Sequence, residues 1–565
     1  MNRRIAYVFL FLIAISTQQI EGKEKFRQKN EAPVVASIRN EEDNTKYIQH
    51  LINQANYGDT VRIPLGTHYV RTIYLKNGVH IASKGVLKQL KPDSVEKFSF
   101  AKQCSSSPLF VGKNIHDISL SFKAAVSNEA VYLENCKRVK VTNTAIQGDS
   151  TNICAFSGIY LRNCEQVDIT NTEVSFFGKS RQSPSFYQRG TGIRVQSSKN
   201  IRISDNNIHD NGENGLFFHA CAAIVVHHNR VSNNGMSGIQ VAFGSTGLEK
   251  QYKITDNTLT ANAADAIDIN NPDPVRQVDL QAVIEGNQSK GNGWVMGKKT
   301  RDGSGIATLV GLKNVLVRNN KSENSNRPAI YIRQCDAIDV LENDADNFAE
   351  IVGDLGQIHL FKNTFDGLRV LAHAKAKKLT LDSNHIRLVY LPNDIAVDSL
   401  VFVSNNLRGD LNINMDGRLI CKNNTISSNS PRGAIALWKV NEAVLSGNQI
   451  SATKNSALYI HEKASNVVVE DNKIHATNTC IKDNGSSHLK IARNTLASAT
   501  YNASAQTLVS VNPKDLHLSD NIYYVGKERL EKDKTRQALG LEGNGTVYMQ
   551  GDVRGLFKPS ASYKN

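Results

Sequence analysis

The 565-residue sequence is poor in several things that would place it in familiar classes. Beyond Met1 to Ser16 no apolar run reaches membrane-spanning length, which leaves no candidate transmembrane helix. Its 8 cysteines (104, 136, 154, 164, 221, 335, 421 and 480) are too sparse and too widely spaced for a disulfide scaffold, and no CxxC pair marks a metal site. The LxxLxLxxN pattern of a leucine-rich horseshoe is missing, as are helical convex segments. The 12 prolines, with 40% hydrophobic and 21% charged residues, fit an ordinary globular chain and argue against a disordered filament.

What is present begins at the N-terminus. Arg3 and Arg4 precede an apolar run from Ile5 to Ile15, the charge order and length of a secretory signal peptide. Residues 1–22 are therefore read as a signal, implying a secreted or periplasmic protein. The net charge of +14 points to a polyanionic partner, which is nucleic acid, anionic lipid or acidic polysaccharide. Export selects the polysaccharide, so the expectation is no nucleic acid, no membrane span and a monomer.

From about Val131 the chain repeats itself. The frame apolar-x-x-Asn-x recurs with Asn206, Asn229, Asn257, Asn287, Asn320, Asn343, Asn363, Asn384, Asn406, Asn424, Asn448, Asn472, Asn494 and Asn521, at a base period of about 22 residues with variable insertions. Segments such as Ile193-Arg194-Val195-Gln196 alternate apolar and polar residues and read as strands. Asn tolerates a left-handed corner and stacks its amide from coil to coil, so the Asn frame is architecture. Before the repeats, Tyr47, Ile48, Leu51 and Ile52 share one face of a helix within Asn44 to Asn56, stopped by Gly58. Short Gly-separated strands follow from Gly58 to Gly85.

A helix followed by repeated strands resembles the pectin-lyase-like right-handed parallel β-helix family, whose members carry repeats of the PbH1 type. The resemblance implies an all-β solenoid over roughly Gly58 to Asn521, with the helix covering its open end. Some cap is physically required, because the first coil otherwise exposes its core and an unpaired strand edge. The expected organisation is residues 1–22 signal, 23–57 leader and capping helix, 58–525 β-helix and 526–565 C-terminal cap. Within the last, Lys527 to Leu539 reads as a helix. The motif Tyr/Phe-x-x-x-Cys puts Cys136, Cys164, Cys221 and Cys335 at one register. Cys136 and Cys164 meet if their coils are adjacent, as a disulfide or as stacked inward thiols.

Three insertions lengthen the central coils: Gly178 to Gly190, Gly244 to Lys250, and 271–304. Loops beside one stack of strands make the walls of a groove floored by that strand face. With each first strand registered on its leading Gly or Ala, the outward pairs are Tyr160 and Arg162, Arg194 and Gln196, Phe217 and His219, Gln240 and Ala242, Asp268 and Asn270, Ala307 and Leu309, and Tyr331 and Arg333. His219, Arg194 and Asp268 are the candidate catalytic residues. Tyr160, Arg162, Phe217, Gln240, Asn270, Tyr331 and Arg333 are candidates for substrate binding. Arginines suit bidentate pairing with sugar carboxylates or sulfates, aromatics suit stacking on pyranose faces, and a His has the pKa of a general base. Asp265, three residues before Asp268, can share its site; a calcium ion there is one reading, and no metal ligand set is assigned. Lys298, Lys299 and Arg301 form a basic insertion, read chiefly as solvated.

The leading functional reading is an enzyme that cleaves or epimerises a uronate-containing polysaccharide by abstracting the C5 proton. A glycoside hydrolase using paired carboxylates is the second, and a non-catalytic glycan-binding solenoid the third. Mannuronan epimerases resemble the chain in their NNIxxN-type repeats, but their Asp-Pro-His-Asp motif is absent. So are the NTD, GHG and RIK signatures of polygalacturonases. The resemblance thus implies a fold and leaves the activity open.

Overall fold

The computed structural model describes residues 34–35, 42–90, 107–151, 157–181, 183, 189–244, 247–392, 395–431, 433–499, 507–526, 528–530, 539–542, 546–550 and 562–564. The expected signal sequence, 1–22, lies outside them, as do residues 531–538 of the expected C-terminal helix. Among the described residues no helix is long and apolar enough to cross a membrane.

Each coil lays three strands on three faces and then steps up one strand spacing, so strands pair in parallel with their counterparts in the next coil. The first face runs through β1 (Ser157–Arg162), β2 (Thr191–Gln196), β3 (Leu216–His219), β4 (Ile239–Ala242), β5 (Ile267–Asn270), β6 (Ala307–Val310) and β7 (Ile330–Arg333). The second face holds Lys199–Ser204, Ala222–His227 and Lys250–Thr255, and the third holds Asn207–His209, Arg230–Ser232 and Thr258–Thr260. Alternation along each strand sends one set of side chains into a continuous core: Ile193, Val195, Leu216, Phe218, Ile239, Val241, Ile267 and Ile269 are all fully buried.

The capping helix α1 (Thr45–Gln54) seals the first coil with Ile48 and Ile52, both fully buried. Lys76 donates through Nζ to the carbonyls of Asn53 (2.8 Å) and Ala55 (2.7 Å), satisfying acceptors that the helix end leaves open. At the other end the expected helix over Lys527 to Leu539 is corrected where it is described: Glu528–Arg529 is a strand pairing antiparallel with Tyr524–Val525, and Leu539 begins another. Leu539–Glu542 pairs with Leu508–Val511, and Thr546–Gln550 pairs with Asp515–Ser519.

The Asn frame is a buried ladder. Asn229 Nδ2 donates to Asn257 Oδ1 (3.0 Å), Asn257 Nδ2 to Asn287 Oδ1 (2.9 Å), and the chain of amides runs from Asn206 to Asn521. One rung differs from the sequence reading. Asn405 occupies the ladder, accepting from Asn384 and donating to Asn424, while Asn406 begins the next strand and is exposed. Two consecutive Asn offer no hydropathy signal to choose between them. A second ladder, Asn211–Asn234–Asn262–Asn292, escaped the sequence analysis; it runs only beside the central coils, at the corner leading into the first face.

All six described cysteines, Cys136, Cys164, Cys221, Cys335, Cys421 and Cys480, are buried free thiols. Cys136 and Cys164 do sit on adjacent coils, and each thiol donates to a backbone carbonyl. The stacked-thiol alternative is therefore the one realised.

Candidate functional site

The first face carries two outward rows. One is Tyr160, Arg194, Phe217, Gln240, Asp268, Thr308 and Tyr331; the other is Arg162, Gln196, His219, Ala242, Asn270, Val310 and Arg333. Every candidate residue of the sequence analysis therefore lies on one face, in adjacent register. One coil is corrected. Ala307 and Leu309, expected outward, are fully buried, and Thr308 and Val310 take their places. The long insertion ahead of β6 offsets the strand by one residue from its leading Gly305-Ile306, and a one-residue slip exchanges the faces.

Within the rows, the side chains are more enclosed than a solvated strand face requires. Tyr160 is only 5% exposed; it packs edge-on against Tyr132, with centroids 5.4 Å apart, and donates to Gln196 Oε1 at 2.6 Å. It is thus not presented as a stacking platform, contrary to expectation, because the neighbouring coil already supplies a ring to cover it. Arg162, exposed, lies 3.5 Å from Glu134. Arg194 is largely buried: its guanidinium lies over the Phe217 ring at 4.3 Å and donates to Glu213 Oε2 (3.0 Å) and Thr191 Oγ1 (2.9 Å). Its charge is already matched by Glu213, a partner the sequence analysis missed because Glu213 sits in a turn 19 residues away.

The centre of the face is acidic. Gln240 bridges two coils, accepting from Asn214 Nδ2 (2.9 Å) and donating to Asp268 Oδ2 (3.0 Å). The other oxygen of Asp268, Oδ1, is buried and has no hydrogen-bond partner. Burial first, then the charge of Asp265, and then that of Asp302, raise the Asp268 carboxyl well above its ordinary range, favouring the protonated form. Asp265 is also pushed up by burial, although its Oδ1 accepts from Ser304 N (2.6 Å), Gly303 N (3.2 Å) and Thr308 Oγ1 (3.0 Å). Those donors fix Asp265 as the anchor of the loop that returns into β6.

That loop brings in Asp302, a second residue the sequence analysis did not single out. The insertion forms a hairpin, with Trp294–Val295 antiparallel to Lys298–Lys299, and the turn residues Met296 and Gly297 have φ of 47° and 74°. Lys298 and Lys299 are exposed, and the Lys299 ammonium lies 5.6 Å from the Trp294 ring. The hairpin base is pinched where Gly293 meets Gly303: a Cβ on Gly303 would sit 2.4 Å from the Gly293 Cα. Asn326 Nδ2 bonds the carbonyls of Gly293 (2.8 Å) and Thr300 (2.9 Å) across the same neck. Asp302 is thereby held, half-buried, beside the two other carboxyls. The sequence signal for this was Asp-Gly-Ser at the close of the longest insertion.

The second row is more open. His219 is half-buried with Nδ1 buried and unbonded, which leaves Nε2 as the nitrogen able to meet a ligand. A Cβ on Gly244 would lie 3.3 Å from His219 Cε1 and 3.5 Å from Glu249 Oε1, so the short insertion carries a buried carboxylate close to the ring. Asn270 and Arg333 are exposed, and Tyr331 is half-buried. For calcium at Asp265 and Asp268 the fit is poor: Asp265 Oδ1 is already occupied by three donors, and Asp268 favours its protonated form.

Parallel pairing on three faces, an interior Asn ladder and a helical cap make the chain a right-handed parallel β-helix protein, as the pectin-lyase-like resemblance implied. Residues 103–274 match the family model described as a right-handed β-helix region, and residues 357–512 match that of the periplasmic copper-binding protein NosD. Among solved structures, the chain is similar to the exopolygalacturonase of Thermotoga maritima, with 12% identity over 65% of this chain and 88% of that one and a TM-score of 0.38. It is also similar to the mannuronan C-5 epimerase A-module of Azotobacter vinelandii (13% identity, 93% and 96% coverage, TM-score 0.28). A third is the tailspike of E. coli bacteriophage HK620, solved with a pentasaccharide (14% identity, 76% and 77% coverage, TM-score 0.38). No curated protein matches the chain in sequence.

Proposed function

We propose that the protein is an exported enzyme that cleaves an acidic polysaccharide by hydrolysis on the first face of the solenoid. The observation that carries this reading is Asp268: a carboxyl at the centre of the face, with one oxygen free of any partner and its protonated form favoured by burial and by Asp265. A protonated carboxyl is the group a glycoside hydrolase needs to give a proton to the departing glycosidic oxygen. Asp302 is the carboxylate that takes the proton of the attacking water as the new bond to the anomeric carbon forms. Gln240 orients the acid, and Asn270, Tyr331 and Arg333 line the path along which the chain binds, with the exposed arginines supplying the preference for an anionic substrate.

The earlier lead, proton abstraction at C5, keeps support from His219, half-buried in the same outward row as Asn270 and Arg333. It loses Arg194 as the group that neutralises the substrate carboxylate, because Glu213 already compensates that guanidinium. Incubation with polygalacturonate, alginate, a glycosaminoglycan and a neutral glucan separates the readings. New reducing ends without ultraviolet-absorbing unsaturated uronate support hydrolysis; unsaturated ends support elimination through His219; binding without product over the whole panel refutes both.

A further inference from the structure

A cluster of metal-ligating side chains lies away from the acidic face, on the corner between the second and third faces. In this part of the coil each chain turns through a left-handed residue: Asp205 (φ 60°), His228 (φ 53°) and Asp256 (φ 56°) occupy that position on three successive coils. Ordinary strand geometry sends neighbouring side chains to opposite sides. The left-handed corner instead brings His227 and His228 to the same side, where their rings stack with centroids 3.8 Å apart and planes 28° from parallel.

Around the two imidazoles the carboxylates come from the coils below and above. His227 Nδ1 is 3.4 Å from Asp256 Oδ2, and His228 Nδ1 is 3.7 Å from Asp205 Oδ1. One donor atom from each of His227, His228 and Asp256 lies within 4.8 Å of the others. Donors about 2.1 Å from a tetrahedral ion stand roughly 3.4 Å apart, so the His227–Asp256 pair is already at that separation. His228 and Asp256 are exposed, and side-chain rotation at the surface, with the His228 ring leaving its stack on His227, closes the remainder.

We propose that His227, His228 and Asp256 bind one divalent transition-metal ion, with Asp205 or water in the fourth position. Two imidazole nitrogens with one or two carboxylates make a donor set for Zn²⁺ or Cu²⁺, whereas Ca²⁺ and Mg²⁺ take oxygen ligands throughout. The ion ties two consecutive coils together, and a third where Asp205 is the fourth ligand, at a corner where the Asn229–Asn257 rung runs just inside. The cluster lies outside residues 357–512, so the copper-binding family resemblance of that segment plays no part in it.

The test is calorimetric titration of the full chain, stripped with chelator, using ZnCl₂ and separately CuCl₂. The expected result is one equivalent bound at micromolar Kd or tighter, weakened at least tenfold in His228→Asn and in Asp256→Asn. Asn is tolerated at a left-handed corner, as at Asn135 and Asn163, so His228→Asn tests ligation and not folding. His488→Ala is the control, because there Asp515 sits between two imidazoles (2.7 and 2.9 Å) without the converging donors. Unchanged binding in both corner variants, loss in His488→Ala, or no saturable binding by either ion overturns the proposal.

Discussion

Removing one rung of the Asn ladder has a cost that follows from the structure. In Asn257→Ala, the backbone N–H of Asn229 (2.9 Å) and its Nδ2 (3.0 Å) lose their acceptor, while Val226 O and Asn287 Oδ1 lose a donor at 3.1 and 2.9 Å. Asn257 and Asn229 are buried, so water does not replace these bonds. Asn229 Nδ2 keeps the carbonyls of Ile203 (2.9 Å) and His227 (3.1 Å), so the Asn229 N–H is the one orphaned donor, and at about 1–3 kcal/mol it gives roughly 2 kcal/mol of local destabilisation. Coils contact only their neighbours, so the effect stays near the rung. Hydrogen exchange read by mass spectrometry is the assay. Peptides covering 224–232 and 252–260 are expected to exchange on the order of thirtyfold faster, at about 1.4 kcal/mol per tenfold, with the Asn472 rung unchanged. Protection within threefold of wild type at both peptides would refute the idea that the ladder bears load.

Other predictions concern the face and the thiols. Asp268 has a folded pKa above its ordinary value of 3.8, so its contribution to stability is fully present below that value and is lost as pH rises through the folded pKa. Asp268→Asn is therefore expected to raise the urea midpoint at about pH 7 to 8 and to match wild type below about pH 4; a lower midpoint at neutral pH contradicts the shift. Arg194→Ala leaves Glu213 largely buried without its cation and uncovers Phe217, with an expected loss of about 2 kcal/mol, measured by urea unfolding against Arg194→Ala/Glu213→Ala, which recovers part of it. Burial raises the thiols of Cys221, Cys335, Cys421 and Cys480 to about 12. The six described thiols should therefore resist a thiol reagent at neutral pH until the chain is unfolded, and rapid reaction of all of them in the native state would contradict the inward stack.

Much of the scaffold was legible because a solenoid repeats its signal. Strand alternation, the Asn period and the amphipathic helix over Tyr47 to Ile52 each encode local geometry, and six of seven outward pairs on the first face followed from alternation alone. The exception, β6, follows an insertion whose length the strand period does not record. Contacts across coils were the harder part. Glu213 reaches Arg194, and Asp302 reaches Asp265 and Asp268, through turns and a hairpin whose return point depends on the Gly293–Gly303 approach and on Asn326. Burial altered the meaning of residues placed correctly: Tyr160 faces outward yet is covered by Tyr132, and Arg194 faces outward yet is compensated. Hydropathy assigns a side to a residue; what covers that side is a property of the neighbouring coil.

The central claim is that Asp268 is the proton donor in glycan hydrolysis. On whichever substrate of the panel is cleaved, the direct measurement is kcat and substrate binding for Asp268→Asn, alongside circular dichroism of the fold. A general acid contributes about 10²- to 10⁴-fold, so the expected result is a fall in kcat of at least about a hundredfold with binding and fold retained. Wild-type turnover in Asp268→Asn would contradict the account.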